Sequence, residues 1–141
     1  MAYLDWNPAY DTGVAAIDYE HRRLVALLNE IHGLILSGAE PQKIAGTLAD
    51  FHARAAAHFA LEEKIMRDRN FPGLRQRRDT HYRLLDQVRE IMDSYDVGSY
   101  REGANLPDTL RKWLSEAMDI DVKLFAEIEE PNLRAWGLSR A

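Results

Sequence analysis

A histidine and a glutamate four residues apart, His58 and Glu62, are the residues of this sequence best suited to chemistry. On a helix, two residues with this spacing lie one above the other on the same face. An imidazole and a carboxylate stacked in this way form half of a carboxylate–histidine metal site in a helix bundle. The sequence contains no cysteine, so a metal would be held by nitrogen and oxygen alone.

Polar residues also interrupt the apolar stripes of four segments that are predicted to be helical. An unpaired carboxylate or guanidinium is costly to bury, so such residues must be paired or bound to a metal. Each of the four segments supplies at least one of them, as expected for a metal site in a bundle core. These residues are His21, His58, Glu62, Arg77, His81 and Asp121, with Glu116 at the edge of its stripe.

Two further histidines are predicted to lie away from this centre. His32 follows His21 by eleven residues, so it faces the same way but lies ~16 Å along the helix axis, and we interpret it as structural. His52 precedes His58 by six residues and points to another face. We expect His52 to be exposed or at a helix boundary.

Apolar residues at helical spacing predict four helices and no strand. Helices of roughly 20 to 25 residues joined by short loops favour an all-α, up-down-up-down four-helix bundle. Within a single domain of residues 1–141, we predict an ordered N-terminal arm (1–16), the bundle (17–130) and a C-terminal extension (131–141). The predicted helix limits are Asp18 as N-cap to Ser37-Gly38, Pro41 to Asn70-Phe71, Leu74 to Tyr95, and Pro107-Asp108 to Pro131.

Length, charge and hydropathy exclude several classes of protein. A chain of 141 residues is long enough to bury a core of its own. The formal net charge of −5 argues against nucleic acid as a partner, because phosphate binding favours a basic face. No apolar run approaches the ~20 residues of a membrane span, and no signal-peptide pattern is present. We therefore expect no membrane association and a cytoplasmic location.

An enzyme is not expected either. The sequence has no nucleophile constellation, no phosphate-binding glycine loop and no HExxH motif. Glu63 is turned by ~100° from Glu62 on the same helix, so we expect it to face outward. Arg75 and Arg78 are likewise expected to lie on a solvated face.

Residues 58–72, HFALEEKIMRDRNFP, carry the specific pattern HFxxEExxMxxxx(Y/F)P. With Trp6 and His21 upstream and Trp113 downstream, the chain resembles the bacterial hemerythrins over nearly its whole length, as far as Leu124. This resemblance implies a four-helix bundle with a non-haem di-iron centre. It also implies dioxygen, or another small diatomic molecule, as the ligand.

The resemblance assigns the first iron to an intact pair of histidines, His21 and His58, with Glu62 as a bridge between the metals. The second iron would take two histidines of an HxxxH pattern on the third helix, and these positions are Arg77 and His81 here. Arginine stays protonated and has no lone pair to give. Only His81 therefore remains of that pair.

Two registers of the fourth helix are open. The family pattern WLxxHIxxxD places its histidine at Ala117 and its aspartate at Val122, and neither residue can bind a metal. A shift by one residue puts Glu116 in place of the histidine and Asp121 at the bridging position. We prefer this second register because it keeps the family's DxxL spacing between Asp121 and Leu124.

The altered ligand set permits two outcomes. In the first, a single metal is held by His21, His58, Glu62 and Asp121. Arg77 would then neutralise a carboxylate at the vacated position, that of Glu62, Glu116 or Asp121. In the second, no metal binds, and a buried ion-pair cluster holds the bundle together.

The functional hypothesis is a hemerythrin-like iron-binding protein that binds oxygen or senses oxygen or redox state. Iron is the expected metal because imidazole and carboxylate ligands suit it, and fewer than two irons per chain are expected. The alternative is a metal-free four-helix bundle that has lost its di-iron cofactor and acts as a binding or signalling module. The candidate metal ligands are His21, His58, Glu62, His81, Asp121 and Glu116.

Overall fold

Four long α-helices make up most of the part of the chain that the computed structural model describes, which is residues 3–68, 70–96 and 106–126. None of these helices is both long and apolar enough to cross a membrane. In chain order they are α1 (Ala15–Leu36), α2 (Pro41–Asp68), α3 (Leu74–Asp96) and α4 (Leu106–Ala126). The predicted helical content and helix order are confirmed. The predicted end of the fourth helix at Pro131 and the extension 131–141 lie outside the described residues.

The connections between the first three helices are short and use left-handed backbone. Gly38 has φ 70° just after α1, a conformation that glycine adopts without strain. Pro41 then occupies the first position of α2, where its missing N–H costs nothing. Asn70 and Gly73, with φ 53° and 85°, turn the chain from α2 into α3. The predicted polar loop between α3 and α4 falls on residues 97–105, outside the described part.

Each helix packs against two others, and together they close a ring. The contacts run from α1 to α2, from α2 to α3, from α3 to α4 and from α4 back to α1. Neighbours in sequence are therefore neighbours in space, which is the arrangement of an antiparallel up-down-up-down bundle. The predicted fold class is confirmed.

The buried apolar residues form two clusters of unequal size. The larger fills the middle of the bundle and includes Leu28, Phe51, Leu84, Leu114 and Met118. The smaller consists of Val14, Ile17, Leu124 and Phe125, with Phe71 packed against it. Both clusters draw on α1 and α4, so the residues between them on these helices lie at the boundary of two apolar regions.

The structure describes the N-terminal arm from residue 3, and α1 begins earlier than predicted. Asp18 is not the N-cap of α1, because the helix starts at Ala15 after an extended Val14. The Asp18 carboxylate instead accepts hydrogen bonds from the Thr12 N–H at 2.8 Å and the Thr12 hydroxyl at 2.7 Å. This short side chain therefore ties the arm to the first turn of the helix.

Candidate metal centre

Three helices of the bundle bring His21, His58 and Asp121 together. The Nε2 atoms of His21 and His58 donate hydrogen bonds to the same oxygen of Asp121, Oδ2, at 2.7 and 3.0 Å. All three residues are at most 2% exposed. One possible ligand atom from each lies within 4.8 Å of the others. The structure therefore brings the predicted ligands of α1, α2 and α4 to one buried point.

Glu62 lies beside this cluster without a hydrogen bond. Its Oε2 atom is 2.8 Å from the Nε2 of His58, but neither carboxylate oxygen has a hydrogen-bond partner of suitable geometry within the described residues. Burial raises the pKa of Glu62 to about 8, and the negative charge of Asp121 adds to the effect. A buried carboxylate without a donor is costly, and a cation at this point would offset that cost.

The protonation of the cluster follows from its two carboxylates. Burial lowers the pKa of His58, but the hydrogen bond to Asp121 and the nearby Glu62 outweigh burial and raise that pKa to about 10. Burial opposes the ionisation of Asp121, yet hydrogen bonds from His21 and His58 hold its pKa well below the usual range. Without a metal, the cluster is therefore a charged histidine on a charged aspartate.

His81 is the only predicted histidine ligand of α3, and it reaches the other oxygen of Glu62. Its Nε2 atom lies 3.9 Å from Glu62 Oε1, while its Nδ1 atom lies 2.9 Å from Glu63 Oε2. Burial lowers the pKa of His81 below its ordinary value of 6.5. This histidine is therefore neutral near pH 7 and retains one free nitrogen.

Glu63 is a residue of the site that the sequence reasoning missed. The prediction that it faces outward is wrong, because its side chain is only 19% exposed and contacts His81. It also accepts a hydrogen bond from Nε of Arg78 at 3.1 Å. The signal was present in the sequence, since Phe59 and Glu63 repeat the four-residue spacing of the ligand pair one position further on.

The structure does not bring Glu116 to the cluster. Its side chain is 47% exposed and forms an ion pair with Arg83 at 3.2 Å. Five residues turn a helix about 140° beyond one full turn, so Glu116 faces away when Asp121 faces inward. The residue one turn before Asp121 on the inner side is Ala117, which is buried. The preferred register thus places the aspartate as predicted but not the glutamate.

Arg77 does not form the ion pair that we expected. Within the described residues, no carboxylate lies within 4 Å of its guanidinium, so the predicted pairing with Glu62, Glu116 or Asp121 is wrong. Its side chain is half-buried. Its positive charge contributes to lowering the pKa of His81. It is the neighbouring Arg78 that pairs with a glutamate of α2.

The two remaining histidines lie apart from the cluster. His32 stacks against Tyr3 with ring centroids 4.1 Å apart, in agreement with a structural role that fixes the arm to α1. His52 lies in the middle of α2 and is half-buried, so the expectation of an exposed or boundary position is wrong. Its Nε2 atom is buried and has no hydrogen-bond partner within the described residues.

Comparison with known proteins places this bundle in a family. The model of the hemerythrin HHE cation binding domain matches residues 12–128. The chain belongs to the hemerythrin family. It is similar to bacteriohemerythrin of Pseudomonas aeruginosa (strain LESB58), with 30% identity over 114 residues, which are 81% of this chain and 73% of that protein. It is also similar to the bacteriohemerythrins of Ralstonia nicotianae, at 28% identity over 120 residues (85% and 84% covered), and Stenotrophomonas maltophilia, at 25% over 115 residues (82% and 71%).

The donor set of this hemerythrin-family chain suits a metal cation. Two imidazole nitrogens and one carboxylate oxygen converge, and Glu62 adds a buried carboxylate with no donor of its own. Nitrogen and oxygen donors of this kind suit iron and other divalent transition metals. On the α3 side of Glu62, the described residues place His81 near the far oxygen of Glu62. Arg77 of the same helix is half-buried, and its guanidinium has no lone pair to give.

Proposed function

We propose that this hemerythrin-family protein holds a single non-haem iron at His21, His58, Asp121 and Glu62, and that it binds or senses dioxygen or another small diatomic molecule. The observation that carries the proposal is the buried convergence of two Nε2 atoms and one carboxylate oxygen within 4.8 Å. The adjacent Glu62, whose two oxygens have no hydrogen-bond donor within the described residues, supports it. Binding there would displace the Nε2 protons, because a ligating histidine is neutral.

One iron rather than two is proposed because of the residues on the α3 side. Arg77 has no lone pair, and its charge repels a cation in the position beside His81. Ala117 supplies no donor from α4. Iron bound at the remaining site would supply redox chemistry toward a small diatomic ligand. The role of the chain is then to hold the metal, to exclude bulk water through its buried walls, and to release protons from His58 and Glu62 when the metal binds.

A binding or sensing role is proposed rather than catalysis. The buried cluster uses its histidines and carboxylates as ligands, and the sequence offers no cysteine nucleophile beside them. A metal-free bundle that acts as a binding or signalling module is the other outcome of the test below.

The test is the metal content and visible spectrum of the full chain after anaerobic iron loading. We expect about one tightly held iron per chain and substantially fewer than two. The His58→Ala and Glu62→Ala variants should lose this iron, whereas His32→Ala, which removes a histidine stacked on Tyr3, should retain it. Two full equivalents with a spectrum that responds reversibly to dioxygen would overturn the single-iron proposal. No iron at all in the parent protein would favour the metal-free module.

A further inference from the structure

Helix α2 presents two adjacent stripes to two different parts of the bundle. His58 and Glu62 face the cluster that includes Asp121 of α4. Phe59 and Glu63, also four residues apart, contact His81 of α3 instead. Since residues four apart share a face of a helix, the same stretch of α2 builds a pair of ligands and, next to it, a pair of contacts around a histidine of another helix.

The second pair fixes both the plane and the rotation of the His81 ring. The ring stacks on Phe59 with centroids 4.1 Å apart and an angle of 7° between the planes. Within that plane, the contact of Nδ1 with Glu63 Oε2 at 2.9 Å fixes the rotation of the ring, so that Nδ1 faces Glu63. The remaining nitrogen, Nε2, is thereby directed toward Glu62, whose Oε1 lies 3.9 Å away.

The chemistry of Glu63 also decides where the proton of His81 sits. An ionised carboxylate can only accept hydrogen bonds, so Nδ1 of His81 must be the donor in this contact. The other oxygen of Glu63 accepts a hydrogen bond from Nε of Arg78 at 3.1 Å, so both oxygens of this carboxylate face a donor. In a neutral imidazole with its proton on Nδ1, the Nε2 atom carries a free lone pair. That lone pair is the one a metal needs.

We propose that Glu63 is a positioning residue that holds His81 in the Nδ1–H form, with the lone pair of Nε2 directed toward Glu62. This inference concerns the free chain alone and can be tested without any metal.

The test determines which tautomer His81 adopts in the metal-free full chain, by long-range proton–nitrogen correlation spectra of the histidine rings. We expect the proton on Nδ1 in the parent protein and a shift toward Nε2–H in Glu63→Met, which cannot accept the hydrogen bond. Glu116→Met is the matched control, since it also removes a glutamate paired with an arginine but leaves His81 untouched. A parent protein with the proton on Nε2 or on both nitrogens would overturn the proposal, even if Glu63→Met failed to fold. An unchanged tautomer in folded Glu63→Met would overturn it as well.

Discussion

Asp121 is the residue on which the polar cluster depends. Its Oδ2 atom accepts hydrogen bonds from His21 and His58, and each of these three residues belongs to a different helix. Because His58 keeps its proton well above neutral pH, the aspartate also balances a buried positive charge. A single carboxylate oxygen thus joins α1, α2 and α4 in the metal-free chain.

Replacement of Asp121 by alanine should therefore destabilise the metal-free protein strongly. Removal of one partner from a buried charge pair typically costs roughly 3–5 kcal/mol of unfolding free energy, because the other charge remains buried. The measurement is chemical denaturation of the chelated protein. Glu116→Ala is the control, since its exposed pair with Arg83 should contribute only about 0–1 kcal/mol. Similar losses in the two variants would show that the cluster around Asp121 contributes no more than a surface ion pair.

At the scale of the helix, the sequence predicts what one element determines by itself. His58 and Glu62 share a face because helix geometry is the same everywhere, and the structure places both in the buried cluster. The polar positions in the apolar stripes and the family resemblance both indicated His21 and Asp121, and these two residues also meet there. The spacing within helices therefore identified these four buried residues, but it failed for Glu63 and Glu116.

What the sequence could not give is how each helix is rotated against its neighbours. α2 packs against both α1 and α3, so two adjacent stripes are covered, and the position of Glu63 against His81 depends on that second interface. Glu116 was assigned from the shifted family pattern, but five residues turn a helix about 140° beyond one full turn, so Glu116 points toward Arg83 while Asp121 faces inward. The first turn of α1 was misplaced because Asp18, a common N-cap residue, uses its carboxylate to hold Thr12 of the arm.

Restoration of a second metal should require changes in two helices. Arg77→His recreates a pair of histidines four residues apart with His81 on α3, but the buried residue one turn before Asp121 on α4 is Ala117, which has no donor atom. We expect Arg77→His alone to raise metal uptake only partly. The double variant Arg77→His/Ala117→His should approach two equivalents per chain, with a stronger visible absorption. The measurement is metal content after anaerobic iron loading.

One matched comparison, Arg77→Ala, sharpens this experiment. Arg77→Ala removes the charge beside His81 without adding a ligand, so any gain in that variant would come from charge alone. Arg77 has no ion pair within the described residues, so we expect the Arg77→Ala change to alter stability by less than about 1 kcal/mol. If the double variant takes up no more metal than the parent protein, the missing ligands at these two positions are not what prevents a second metal from binding.

For the whole molecule, the buried acids and bases make stability depend on pH. Burial raises the pKa of Glu62 to about 8, and its carboxylate partners raise that of His58 to about 10 against the opposing effect of burial. Both groups bind their proton more tightly in the folded chain than in the unfolded one, so stability is lost as pH rises through these values. The pKa of His81 is shifted downward, so its effect is confined to pH below about 6.5.

The melting temperature of the metal-free protein should therefore fall as pH rises from about 6.5 to about 10. Thermal unfolding followed by circular dichroism across this range measures the effect. Glu62→Gln removes the group with the first raised pKa, so its curve should be flatter up to about pH 8. A melting temperature that rises over this range in the parent protein would contradict the assigned protonation of the cluster.

The division of the apolar core into two clusters has a consequence for local motion. The cluster of Val14, Ile17, Leu124 and Phe125 is small, and it lies beyond the polar layer from the main core. Segments that bury little apolar surface open at a lower free energy than the rest of a fold. We expect this end of the bundle to open at a lower free energy than the main core, and a cation bound by α1, α2 and α4 would hold these helix ends together. Metal binding and the opening of these helix ends are then thermodynamically coupled. Any change that favours the open helix ends must also lower the affinity for the ion.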